Sequence, residues 1–258
     1  MKKTLLQVQP QYANKNEWTA LSEREGLFFE CIEPVFNPEQ IDLSNPDPQL
    51  RWYREGGRTA AVHGAFIDVN IASGDGAFRA LSQRRCHESC RLAQHLGAEY
   101  VVFHSSCFPF LRGAYLESWA DRCADFYMEL ARQYGLAIRV ENSQDVDPAP
   151  LERLMRSVQG ADVSVCLDIG HAAYSRAPVR EWFDRLGDHI SYLHLSDNMG
   201  LFDDHLPIGE GGIDWAEADG LWRQLKRPAP VTLEVGSIRN VEKSLSYLRD
   251  HGLFGLEG

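Results

Sequence analysis

The sequence predicts an α/β chain folded as a single (β/α)8 barrel spanning residues 1–258, with eight parallel strands inside a ring of helices. Three observations predict it. Eight short apolar runs, each bounded by turn residues, recur along the chain and alternate with amphipathic stretches. The repeat, 258/8 or about 32 residues, is the length such a barrel needs per strand–helix unit. The first run is not followed by GxGxxG, so the doubly wound dinucleotide fold, the structural alternative, lacks its signature.

The runs are Thr4–Gln9, Leu27–Ile32, Thr59–His63, Tyr100–His104, Ala137–Glu141, Val163–Asp168, Ile190–His194 and Val231–Glu234. Each is four to six residues and rich in Val, Ile, Leu or Phe, as strands covered on both faces are. The apolar run after Met1-Lys2-Lys3 ends within two residues, too soon for a signal peptide, so this segment reads as the first strand. Helical periodicity is clearest over Leu116–Tyr134, where Trp119, Cys123, Phe126, Tyr127, Leu130 and Tyr134 form one stripe and Gly135 is the stop. Further helices are expected over Phe78–Leu96, stopped by Gly97, and over Val241–Leu248. Glu33 to Arg58, with four prolines, reads as a long loop with a short helix near Gln49–Arg54.

Charge and cysteine content narrow the function classes. Lys plus Arg number 26 against 37 Asp plus Glu, a net charge of −11 that disfavours a general polyanion binder such as a nucleic-acid protein. No window reaches the 18 or so apolar residues of a membrane span. The six cysteines form no CxxC pair. Cys86 and Cys90, four apart, read as buried thiols on a helix face, and reduced thiols fit a cytoplasmic address.

The polar residues then fall into a pattern. Seven successive runs end in a carboxylate or an imidazole: Glu30, His63, His104, Glu141, Asp168, His194 and Glu234. Barrels of this type carry their chemistry at the C-terminal strand ends. Carboxylates and imidazoles gathered at one mouth without Lys or Arg call for a divalent cation, and this donor set suits zinc, manganese, cobalt or iron. His171 lies three residues past Asp168. Asp203 and His205 form a D-x-H pair in the loop after His194, which Gly209 and Gly211 turn back toward the next helix.

The segments VHGAF, VVFHSS, VEN, LDIGHA, HLSDN with DDHLPIGEG, and LEVG resemble the xylose isomerase-like TIM barrels, a superfamily of sugar and sugar-phosphate isomerases and epimerases that includes the family-2 apurinic endonucleases. The isomerase branch implies one catalytic divalent ion held by Glu141, Asp168, His194 and Glu234, with His171 at the substrate. The endonuclease branch implies three zinc ions: one on His63, His104 and Glu141, one on Glu141, Asp168, His194 and Glu234, and one on His171, Asp203 and His205. Departures weigh against the endonuclease. Asn142-Ser143-Gln144-Asp145 stands where that branch is Gly-rich, and Asn198–Phe202 has no lysine. Phe66-Ile67 occupies the place of its DNA wedge and reads equally as a pocket wall. Gly200 replaces an arginine that several ketose epimerases carry, which argues against a specific ketose 3-epimerase.

The resemblance and the residues together favour a metal-dependent isomerase or epimerase acting on a small carbohydrate-like substrate, with Glu141 and Glu234 as acid–base pair, His171 polarising the carbonyl, and one to three ions per chain. A zinc phosphodiesterase is the alternative. It would need cations at the mouth, yet no lysine follows a ligand-bearing strand end, and Arg51, Arg54, Arg58 and Arg112 are the available ones. A non-catalytic binding barrel would waste the ligand set. Trp52 and Tyr53 are candidates for a lid that keeps water from the reaction.

Overall fold

A computed structural model describes residues 6–32, 48–56, 58–109, 111–227 and 229–257. Eight parallel strands form a closed barrel in the order of the chain: β1 (Leu6–Val8), β2 (Phe28–Ile32), β3 (Thr59–His63), β4 (Tyr100–His104), β5 (Ala137–Glu141), β6 (Val163–Asp168), β7 (Ile190–Leu195) and β8 (Val231–Leu233). The open doubly wound sheet is therefore overturned. The helices are α1 (Lys15–Glu25), α2 (Pro48–Glu55), α3 (Gly76–Leu96), α4 (Gly113–Tyr134), α5 (Ala149–Ser157), α6 (Ile169–Tyr174), α7 (Val179–Leu186), α8 (Trp215–Arg223) and α9 (Ile238–Asp250). No helix among the described residues is long and apolar enough to cross a membrane.

Four strands, β3 to β6, have the bounds their apolar runs predict. The others differ at the ends. Thr4 and Leu5 of the expected first strand, and most of the loop expected over Glu33 to Arg58, lie outside the described residues. Glu30 does not end β2 but sits in its middle, fully buried. His194 is followed by one more strand residue, and Glu234 comes just after β8. Helices α3 and α4 start earlier than their apolar stripes. In α3 the Asp75 carboxylate caps the start by accepting from Ala77 and Phe78 N–H (2.8 and 2.9 Å). Both end on the expected glycines, Gly97 and Gly135, at positive φ.

Contacts divide the chain into two compact units. The described residues of the first fall within Met1–Phe29, Val146–Pro148 and Val165–Gly258. Its sheet is set by the pairings Gln7↔Thr232, Leu193↔Val231 and Asp168↔His194. Gln7, Tyr192 and Thr232 are fully buried, and the Tyr192 hydroxyl bonds both Gln7 Oε1 (3.1 Å) and Thr232 Oγ1, a polar layer below the strand ends. Around the sheet, Trp18, Leu21, Trp182, Trp215, Val241, Leu245 and Leu248 are buried.

The same unit ties α1 to α9 at Glu25, which accepts from Arg24 and Arg249. The Arg24 guanidinium first, then Arg249, hold the carboxyl below its ordinary value of 4.5, against the effect of burial. A depressed carboxylate stabilises the fold above its unfolded pKa and loses that contribution as pH falls through the folded one. Glu25→Gln should therefore cost about 1 kcal/mol at pH 7 and nothing below the titration of Glu25, as read from urea unfolding at the two pH values. An equal effect at both would contradict this account.

The described residues of the second unit fall within Glu30–Asp145 and Ala149–Ser164. The pairings Val62↔Val101 and His104↔Glu141 set its register. Trp119, Cys123, Phe126, Tyr127 and Leu130 of α4 are buried, while Tyr134 is half-buried and bonds His87 Nδ1 through its hydroxyl (3.0 Å). All six cysteines are buried and unbridged. Tyr53 is buried as well, so it is a core residue and not half of a lid; Trp52 beside it is half-buried.

Candidate metal centre

In the second unit, β3, β4 and β5 are consecutive, and their last residues are His63, His104 and Glu141. Each offers a ligand atom within 4.8 Å of the other two. His63 Nε2 lies 3.3 Å and His104 Nε2 3.6 Å from Glu141 Oε2. His63 Nδ1 is 3.1 Å from the carbonyl of Gly64, which can only accept, so Nδ1 donates there and Nε2 is the nitrogen turned to the carboxylate. Two imidazoles and a carboxylate converging in this way are a donor set that suits a divalent ion. Phe66 packs on both imidazoles, with centroids 5.1 Å from His63 and 4.9 Å from His104, and is half-buried. Ile67 next to it is exposed.

In the first unit, Asp168, His194 and Glu234 form the matching group, again with ligand atoms within 4.8 Å of one another. His194 Nδ1 lies 3.1 Å from Glu234 Oε2. Asp168 does two jobs: its Oδ1 accepts from the backbone N–H of His171 (2.6 Å), capping α6, and its position opposite His194 in the sheet register turns it to the same strand-end layer. Cys166, two residues earlier on β6, has its sulphur within 4.8 Å of a ring nitrogen of His194. The absence of a CxxC pair hid it, although the two-residue period of a strand puts it on the same face as Asp168.

His171, Asp203 and His205 are brought together through one carboxylate oxygen. Asp203 Oδ2 is 3.1 Å from His171 Nε2 and 3.1 Å from His205 Nε2. Burial pushes the Asp203 carboxyl up, but the hydrogen bonds from His171 and His205 outweigh it and hold the group well below the usual carboxylate range. The bond to Asp203 in turn raises His205 to about 9, against burial. His205 Nδ1 also donates to the Glu234 carbonyl (2.8 Å), which holds His205 at φ 48, a left-handed conformation rare outside glycine.

What positions this pair is Asp197, a residue of the HLSDN segment to which the sequence alone attaches no role. It is fully buried. Its carboxylate accepts from Asn198 N (2.9 Å), Gly209 N (2.9 Å), Ile213 N (3.3 Å) and Trp215 Nε1 (2.8 Å), and its backbone pairs with Leu206. Segment 196–214 is thus gathered at its base around one carboxylate. The four residues beyond that base are different: Met199, Leu201 and Phe202 are exposed, and Gly200 has φ 78. The acceptor pattern was unreadable because three of its four donors lie 12 to 18 residues downstream.

Of the cations named from the sequence, Arg51 and Arg54 lie exposed on α2, Arg58 follows that helix, and Arg112 precedes α4.

Comparison with known proteins agrees with this architecture. A family model described as xylose isomerase-like TIM barrel matches residues 29–251. An uncharacterized protein of Methanocaldococcus jannaschii, MJ1311, is 28% identical over 201 residues, 74% of this chain and 69% of its own. The TTHB071 protein from Thermus thermophilus, solved after soaking with ZnCl2, superposes with a TM-score of 0.78 at 24% identity, covering 95% of this chain and 96% of that one. A D-psicose 3-epimerase solved in the presence of D-fructose gives a TM-score of 0.74 at 14% identity, over 97% and 99% of the two chains.

Proposed function

Because the chain belongs to the xylose isomerase-like TIM barrel family, we propose that it is a metal-dependent isomerase or epimerase that moves a proton between adjacent carbons of a small carbohydrate-like compound. The observation that carries this reading is the group Asp168, His194 and Glu234, two carboxylates and an imidazole converging with their ligand atoms within 4.8 Å of one another. Glu141, the last residue of β5, is the fourth donor that the family resemblance implies in this reading. The likeness to a D-psicose 3-epimerase supports a sugar-like substrate, and the zinc-soaked TTHB071 protein is consistent with a divalent ion.

The ion, when bound, supplies a Lewis acid that polarises substrate oxygens. Glu141 and Glu234 take the proton from one carbon and return it to the next. His171 binds the carbonyl or a hydroxyl, held by its backbone N–H on Asp168 and its Nε2 on Asp203. Asp168 and His194 are fully buried, which keeps water from that part of the site during proton transfer.

The His63–His104–Glu141 group favours a second reading, a multinuclear zinc phosphodiesterase. Metal content decides between them, measured by mass spectrometry on protein purified without chelator or added metal. About one ion per chain, together with deuterium uptake from D2O into a neutral sugar, is the isomerase outcome. Roughly three zinc ions per chain with cleavage of abasic DNA and no deuterium uptake would replace it with the phosphodiesterase.

A further inference from the structure

The strand-to-helix connections of a (β/α)8 barrel build its substrate site, so their charge states what kind of molecule they admit. In connections 9–14, 64–75, 105–112, 142–148, 196–214 and 234–237 the sequence has one lysine or arginine, Arg112. Its Nη1 donates to the carbonyls of Pro109 (3.0 Å) and Leu111 (2.7 Å), so this guanidinium is turned back on its own loop. Connections 196–214 and 234–237 together contain six carboxylates. A side chain that would pair with a phosphate is what these loops lack, and acidic groups are what they supply.

A barrel has a second way to hold phosphate, the N–H groups at the start of a helix following its last strands. Here those starts are plugged by the protein itself. Asp168 accepts from His171 N at α6, Asp214 from Glu217 N at α8 (2.9 Å), and Ser237 from Asn240 N at α9 (3.2 Å). Two of the three plugs are carboxylates, so an incoming phosphate meets like charge at the very groups that would otherwise bind it. Cations on the helices that reach these loops are each engaged by the protein: Arg79 Nη1 donates to the Ser73 carbonyl (2.5 Å), Arg122 Nη1 to those of Ala72 and Ser73 (both 3.4 Å), Lys243 to Glu210 (2.5 Å) and Lys15 to the Tyr12 hydroxyl (3.1 Å), while Arg239 is exposed.

We infer that the site takes an uncharged polyhydroxy carbonyl compound and turns away phosphate esters, sugar phosphates and the nucleic-acid backbone alike. The carbonyl in this statement rests on the isomerase reading above; the exclusion of phosphate rests on the loops.

The test uses the manganese-loaded protein. Calorimetric titration with fructose 6-phosphate and with inorganic phosphate should give dissociation constants weaker than about 1 mM. Deuterium uptake from D2O should be at least about a hundredfold faster for fructose or tagatose than for the corresponding 6-phosphate. Leu201→Lys adds one cation at an exposed position, and should tighten fructose 6-phosphate binding about tenfold. A phosphate ester binding more tightly than about 1 mM, or exchanging as fast as its neutral partner, would overturn the inference. So would an L201K variant whose affinity for the ester is unchanged. Deuterium uptake reads the isomerase proposal and phosphate affinity reads this one, so the two failures are told apart.

Discussion

His194→Ala should empty the proposed centre and lower turnover by about 10³-fold or more. His194 is fully buried at the end of β7, opposite Asp168 in the sheet register and 3.1 Å from Glu234 Oε2. It is the imidazole ligand between two carboxylates. Removing it leaves those carboxylates to repel across a cavity and takes away one of few ligands that a divalent ion has in a four-donor site. Asp168→Asn is the companion variant. It keeps the shape and the acceptor that caps α6 while removing the charge, so it should retain the fold and lose most bound metal. Mass spectrometry after gel filtration reads the metal, and thermal melting checks the fold. Wild-type metal content in H194A would remove His194 from the centre, and with it the reading built on that group.

Asp197→Ala should cost about 3–5 kcal/mol, the range for stripping a buried charged acceptor from its donors. Four N–H groups lose their acceptor at once, among them the indole of buried Trp215. For a chain of this size the melting temperature should fall by roughly 10 °C. Gly211→Ala attacks the same cluster by overfilling it. A Cβ there would stand 2.2 Å from Asp197 Oδ1 and 2.5 Å from the Asn198 carbonyl. The carboxylate cannot retreat without giving up its donors, so this variant should lose about 2–3 kcal/mol. If either protein melts within 2 °C of wild type (about 1 kcal/mol for this length), the carboxylate does not hold the loop.

The barrel was legible because strands buried on both faces write themselves as unbroken apolar runs, and β3 to β6 follow those runs to the residue. Glu30 was misread for the same reason. A charge inside an apolar run looks like its end, whereas the barrel interior accommodates it in mid-strand. Helix α6 left no trace because six residues are too few to show a period. The candidate site was legible as a set of strand-end residue types. Its arrangement was not, since the pairing of His171 with Asp203, the packing of Phe66 on His104 and the gathering of a loop on Asp197 depend on contacts between segments far apart in sequence.

The clasp on Asp197 closes at Leu206 and at Gly209 to Trp215, and leaves Met199 to Phe202 outside it. Heredity can treat the two parts separately. Changes at Met199, Leu201 and Phe202 leave the ligands and the hydrogen bonds that seat them in place, while Gly200 at φ 78 keeps the turn between them. A lineage can therefore explore new substrates there while its metal chemistry is passed on unchanged, and an engineer can graft a recognition loop at the same place.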